Sequence, residues 1–395
     1  MKKIFSLSLM VALAINVFSQ VDSTSGQYRN SAEELLASDS RLTIGGYGEV
    51  KYNQGIGGGE YQNGELDVHR VVMLFGYKFN ERTQFITELE YEHVKEIYVE
   101  QAFLQYKVNN ALSFRGGLLL IPMGIINEYH EPTTFNGVNR PEIDKSLAPT
   151  TWREIGFGAT GNFIDASVRY QAYVVNGFNG YYDGEAKLSG SKGYRSGRQK
   201  GAESYMSSPN FTAKVDYYGL PGLSLGLSGY FGKTQSDLYD GIEKEGDFVK
   251  VADSSVVGIS MIGADARYNK SGLQLRGQFY YSKNSNTDQY NAFTGKDLGS
   301  TMMGYYAEAG YNVFAHSGTI KSELVPFFRY ESYNNHASVE GGLEKNKAYN
   351  PTILTYGFGW KMAKGAVLKI DFQSRKTADD DKYAHSFNAG IGVMF

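Results

Sequence analysis

The chain ends in a strand whose two faces need different solvents. In residues 384–395 (AHSFNAGIGVMF), His385, Phe387, Ala389, Ile391, Val393 and Phe395 fall on one face. Ala384, Ser386, Asn388, Gly390 and Gly392 fall on the other, because strand side chains alternate with a period of two. The same division recurs upstream. Glu88, Glu90 and Glu92 oppose Phe85, Leu89 and Tyr91; Gln274, Arg276 and Gln278 oppose Leu275, Phe279 and Tyr281. Glu323, Arg329 and Glu331 oppose Leu324, Phe328 and Tyr330, and Lys369, Asp371, Gln373 and Arg375 oppose Leu368, Ile370 and Phe372. Strands built this way require water on one side and an apolar medium on the other.

Composition narrows the choice of medium. With 31 Tyr, 23 Phe and 47 Gly, the chain is rich in residues that suit membrane–water interfaces and tightly curved strands. Its mean hydropathy is nonetheless negative, at −0.37, as expected when half of every strand faces water. A large secreted β-sandwich or β-helix is the competing class. At the N-terminus, Lys2 and Lys3 precede an apolar run over residues 7–15, with Val17 and Ser19 at small-residue positions. That pattern predicts a signal peptide over residues 1–19, cut after Ser19; the run is too short for a comfortable membrane anchor. There is no cysteine, hence neither a disulfide framework nor a lipid-attachment site. The formal charge of −3 becomes more negative once Lys2 and Lys3 are lost, which argues against a nucleic-acid partner.

Connections alternate between short and long. Short links near residues 79–83, 108–111, 162–165, 219–222, 269–272, 315–319 and 363–365 carry Asn, Gly, Pro or Ser. Between them lie longer polar stretches at 54–63, 123–152, 177–208, 234–255, 284–302, 335–351 and 377–383. This layout predicts an all-β, antiparallel transmembrane barrel of about sixteen strands over residues 41–395, with both ends on the periplasmic side. About sixteen strands leave a water-filled bore. Residues 20–40 read as a periplasmic lead-in, too small to plug it. A chain that stops on an aromatic at the end of such a strand resembles the bacterial outer-membrane barrels. The resemblance implies a Gram-negative outer-membrane location, lipid and lipopolysaccharide as surroundings, and recognition of the strand ending in Phe395 by the barrel-assembly machinery.

Residues 123–152 (MGIINEYHEPTTFNGVNRPEIDKSLAPTTW) stand apart, with three prolines and both charge signs. Such a stiffened loop after the fifth strand reads as a constriction folded into the bore, whereas the Gly/Ser-rich stretch 177–208 reads as facing solvent. Packing outside, as a lid or trimer latch, is the alternative. Around this loop, Pro122-Met-Gly, Asn127-Glu-Tyr-His-Glu-Pro and Thr151-Trp-Arg-Glu resemble the phosphate-selective porin O and P family, in its general-porin branch. The resemblance implies a homotrimeric, diffusive, ion-permeable channel for small hydrophilic solutes, with the third long loop narrowing the pore.

The candidate constriction residues are Glu128, His130, Glu131, Arg140, Lys145 and Arg153, with Arg70, Arg115 and Arg169 on the pore wall. Phosphate preference needs an excess of Arg and Lys at the narrowing. Inward-facing acids such as Glu49, Glu88, Glu90, Asp265, Glu331 and Asp371 nearly balance the bases, so the sign of selectivity stays open. His130 between Glu128 and Glu131 is a weak metal signal, and a hydrogen-bonded loop histidine is the simpler reading. The expectation is therefore no metal, no cofactor and no enzyme. A barrel hydrolase, for which no Ser–His–acid cluster can be assembled, and an adhesion barrel using residues 177–208 and 234–255 are the alternatives.

Overall fold

The computed structural model describes residues 28–58 and 61–395. The expected signal peptide and cleavage point lie outside the described residues, as does the lead-in up to residue 27. Strands β1 to β5 run over Leu42–Ile56, Glu65–Lys78, Thr83–Glu92, Glu96–Asn109 and Leu112–Leu120. Strands β6 to β10 follow at Arg153–Phe163, Val168–Val175, Asn210–Leu220, Leu223–Lys233 and Gly258–Lys270. Strands β11 to β16 occupy Leu273–Ser285, Thr301–Tyr311, Glu323–Ser338, Pro351–Ala363, Ala366–Thr377 and Ala384–Met394. Each pairs antiparallel with its neighbour in sequence, and β16 pairs with β1 to close the barrel. The expected all-β, sixteen-strand fold is what forms.

Closure is completed by the last residue. The Phe395 N–H donates to Gly46 O at 2.9 Å, and the Gly46 N–H donates back to Phe395 O at 3.0 Å. The Phe395 ring covers Gly46, where an added Cβ would come within 2.8 Å of its Cζ. No edge remains to template aggregation.

The sheet is inverted relative to a soluble protein. Outward side chains such as Phe395 (67 % exposed), Leu227 (65 %) and Ile391 (53 %) form an apolar belt. Inward ones such as Arg329, Glu88 and Asp371 are each 1 % exposed. In water, each large apolar group of the belt would forgo roughly 1.5–3 kcal/mol of burial; hydrocarbon restores it. Every face assigned from the alternation above is observed. Short connections gather at one end with the start of β1 and the end of β16, and the long ones at the other, where the link over residues 93–95 is the short exception among the described residues.

Segments outside the strands enter the bore from both ends. The third outer loop, residues 121–152, folds inward as expected, and residues 121–133 are buried without exception. At the opposite end, helix α1 (Ser31–Ala37) starts from a capping box, with Asn30 Oδ1 accepting the Glu33 N–H and Glu33 accepting the Asn30 N–H. Its apolar face, Ala32 and Leu35, packs inside the barrel mouth, where Gly76 leaves room; an added Cβ there would meet Leu35 Cβ at 3.3 Å. Of the segment expected to be a lead-in too small for a plug, the described residues 28–40 sit at the periplasmic mouth.

Candidate functional site: the bore and its two vestibules

The third loop carries irregular backbone through the barrel, so its N–H and C=O groups need partners there. The wall supplies them. Lys214 on β8 donates to Gly124 O (2.8 Å) and Glu128 (2.7 Å). Arg276 on β11 donates to Thr134 O (2.9 Å), Lys369 on β15 to Phe135 O (2.8 Å), and Arg329 on β13 to Asn139 O (3.2 Å). Asp371 accepts the Val138 N–H (2.6 Å), and Glu331 accepts the Ile143 N–H (3.0 Å). Hydrogen bonds to charged groups are each worth about 1.5–3 kcal/mol. The charges of this wall therefore hold the loop.

Free space remains on the other side, against β2 to β7. The inward residues of β3 mark the route: Gln84 lines an inner vestibule, Ile86 meets α1, Glu88 sits at mid-depth, and Glu90 and Glu92 line an outer vestibule. The outer vestibule measures about 770 Å³. Its lining counts seven basic residues, among them Arg153, Arg195, Arg198 and Lys200, against the acids Glu90, Glu92, Glu96 and Glu142. Burial, with Arg195 and Arg153 nearby, pulls the Arg198 guanidinium down to about 9, and burial with Arg198 lowers Lys200. Crowded cations of this kind attract anions. The inner vestibule, about 320 Å³, is lined by Arg29, Lys107, Arg115 and Arg169 against one acid, Glu33.

Between the two vestibules the throat is lined by a buried polar cluster. Tyr47 Oη donates to Glu88 Oε1 at 2.8 Å, with Glu100 Oε2 at 3.2 Å. His130 Nε2 lies 3.2 Å from Glu100 and 3.5 Å from Glu88, and its Nδ1 lies 3.2 Å from Asn127 O. Burial alone would push the His130 imidazole down, but the Glu100 and Glu88 carboxylates hold it up at about 10.

The expected site residues separate into groups. Lys145 and Arg153 line the outer vestibule, and Arg115 and Arg169 the inner one. His130 reaches the throat. Glu128 is spent on Lys214 and Gln171, Glu131 accepts from Ser31 of α1, and Arg140 donates to the His130 carbonyl (2.6 Å). Arg70 is buried on Glu49 (2.9 Å) and Glu90 (3.0 Å) behind the throat. Glu128 and Glu131, the sequence neighbours of His130, point away from it.

Several contributors were not among those expected. Glu100 turns inward because the β3–β4 register shifts at Glu88/Leu89, a bulge that breaks the parity count. The stretch 177–208, read as facing solvent, also folds in. Phe178 stacks on Trp152 (4.5 Å between centroids) and Tyr194 on Phe178 (5.4 Å). The buried apolar residues Phe178, Leu188 and Tyr194, spaced through a Gly/Ser-rich stretch, were the available signal.

A closed sixteen-strand barrel with an apolar belt and an inward third loop defines an outer-membrane β-barrel, in the outer membrane of a Gram-negative cell. The fold is similar to an anion-selective porin from Comamonas acidovorans, with a TM-score of 0.57 and 13% identity over 90% of this chain and 99% of that one. It is similar to the outer membrane channel DcaP of Acinetobacter baumannii (TM-score 0.57, 10% identity, 90% and 97% covered). The trimer form of OmpT, an outer membrane protein of Vibrio cholerae, gives a TM-score of 0.53 at 12% identity, with 90% and 99% covered. At these identities the likeness is one of fold, and it does not reach the phosphate-selective branch. No family model matches the chain. The chain belongs to the family of an uncharacterized protein of Aquifex aeolicus, 31% identical over 382 residues, spanning 92% of this chain and 82% of that one.

Proposed function

We propose that this chain is a passive outer-membrane channel, selective for small hydrophilic anions, and that it catalyses no reaction. One observation carries the reading: both vestibules hold a surplus of basic residues, seven against four outside and four against one inside, although the whole chain has a formal charge of −3. A basic, narrow approach concentrates anions and repels cations. Lys145, Arg153, Arg195, Arg198 and Lys200 attract the solute from outside, and Arg115 and Arg169 do so from the periplasm. The throat at Tyr47, Glu88, Glu100 and His130 limits the flow. Phosphate is one candidate solute. The anion selectivity named for the Comamonas porin and the trimer form named for the Vibrio protein accord with an anion-selective homotrimer here. Lipopolysaccharide around the rim, and the assembly machinery at the strand ending in Phe395, complete the proposed partners. Reconstitution into planar bilayers under a salt gradient tests the proposal. A reversal potential on the anion-selective side is expected; an ohmic current with cation preference would overturn the selectivity, and no conductance from folded protein the channel itself.

A further inference from the structure

We propose that Glu88, Glu100 and His130 form a site for one divalent first-row transition cation, Zn²⁺ foremost, at the throat of the bore. The ligands come from β3, β4 and the third loop, which only the fold joins. His130 Nε2 stands 3.2 Å from Glu100 Oε2 and 3.5 Å from Glu88 Oε1. Those separations match the edges, about 3.3–3.5 Å, of a tetrahedron with the bond lengths of zinc to nitrogen and oxygen. All three ligand atoms lie within 4.8 Å of one another.

A second observation points to a ligand. His130 Nε2 is buried and within ion-pair distance of two carboxylates without meeting hydrogen-bond geometry to either, and Glu100 Oε1 has no hydrogen-bond partner and only the Arg153 guanidinium, at 3.7 Å, beside it. The ring nitrogen is aimed between the carboxylates. On its far side Nδ1 faces the Asn127 carbonyl at 3.2 Å. That outer contact orients the ring as in a metal-binding histidine, with Nε2 directed between the carboxylates. Tyr47 Oη, 2.8 Å from Glu88 Oε1, supplies either an outer donor to the carboxylates or a fourth ligand.

The donor set decides the class of ion. One imidazole with two carboxylates suits zinc and its neighbours, whereas calcium and magnesium favour all-oxygen cages. The charge of the ion falls between the Glu88 and Glu100 carboxylates. Of the nearby guanidinium groups, Arg70 is already paired with Glu49 and Glu90 at 2.9 and 3.0 Å, and Arg153 lies 3.7 Å from Glu100 Oε1, the oxygen that the ion does not take. Once bound, the ion staples the third loop to the β3–β4 wall. The site stands whether or not the barrel conducts, because metal content is read without current.

The test uses the mature barrel folded in detergent, stripped with a chelator, equilibrated with Zn²⁺ and desalted before metal analysis. About one zinc per chain is expected, falling at least about tenfold in Glu100→Gln and in His130→Gln. Should either variant fail to fold, Co²⁺ added to the unaltered protein gives the second readout, an intense visible spectrum of tetrahedral cobalt. Folded protein that retains no zinc and shows no such spectrum overturns the proposal and leaves the cluster an imidazolium held by two carboxylates. Zinc retained undiminished by both variants also overturns it, since the ion would then sit elsewhere, as at Asp67, His69 and His93.

Discussion

Asn127 and Trp152 form a reciprocal clasp at the base of the third loop: Asn127 Oδ1 accepts the Trp152 N–H at 2.8 Å, and Asn127 Nδ2 donates to Trp152 O at 2.9 Å. The same Nδ2 also donates to Ile121 O at 2.8 Å. One side chain thus joins the two ends of the loop as a β-ladder would. Leaving a buried polar group unsatisfied costs about 1–3 kcal/mol. Asn127→Leu is therefore expected to lower the temperature at which the folded barrel converts to its unfolded mobility on gels, and to raise current noise in bilayers. Unchanged heat-modifiability would mean that the wall tethers alone hold the loop.

Helix α1 is held in the periplasmic mouth by a few polar contacts. Arg169 grips Glu33 at 2.7 Å, Gln84 donates to Leu36 O at 3.1 Å, and the Ser31 hydroxyl donates to Glu131. The buried helix face is only Ser31, Ala32 and Leu35. Deleting residues 28–38 is expected to leave the barrel folded and to increase single-channel conductance severalfold. Glu33→Lys, which sets two cations together, should increase it to a lesser degree. Equal conductance in all three proteins would show that the helix does not limit flow.

Strand faces, turn positions and closure were legible in the sequence because they follow from a two-residue period and from turn chemistry. The inward course of the third loop was legible from its prolines. What the alternation cannot say is which lumen residue meets which. Arg329 and Lys369 face inward as expected, but their partners are the carbonyls of Asn139 and Phe135, far away in sequence. The near balance of inward charge therefore gave no sign of selectivity: it counted tethers together with vestibule residues. Glu100 escaped because a bulge resets the parity of β4. His130 was legible as a loop histidine, yet its neighbours Glu128 and Glu131 play no part in its chemistry, since a turn of loop backbone sends them to other walls.

Reversing two vestibule charges tests the electrostatic reading. Arg195→Glu combined with Lys200→Glu would change the outer lining from seven basic and four acidic residues to a slight acidic excess. Both side chains are partly exposed to the vestibule, so folding should survive. The reversal potential is expected to move toward cation preference, and the shift to shrink as salt rises and the screening length falls below about 10 Å. A reversal potential that stays in place would remove these residues from the permeation path.

Asp144 gives the seating of the third loop a pH dependence of definite sign. Its Oδ1 accepts from Gln278 (2.7 Å) and Tyr280 (3.1 Å). Burial, with Glu331 nearby, outweighs those bonds and the Arg329 charge and raises the carboxyl to about 8. The folded state thus holds a proton that the unfolded state, with an ordinary carboxyl near 4, releases. Between those values the folded protein binds more protons than the unfolded one, so this group's contribution is complete below about pH 4 and is lost as pH rises toward 8. Asp144→Asn keeps the acceptor oxygen and cannot ionise. The variant is expected to match the parent near pH 4 and to exceed it in thermal stability near pH 8, a tenfold difference in proton affinity between the two states being worth about 1.4 kcal/mol. Gel-mobility melting at the two pH values measures the difference; a gap that does not widen with pH would show that the Asp144 carboxylate is ionised at no cost in the folded barrel.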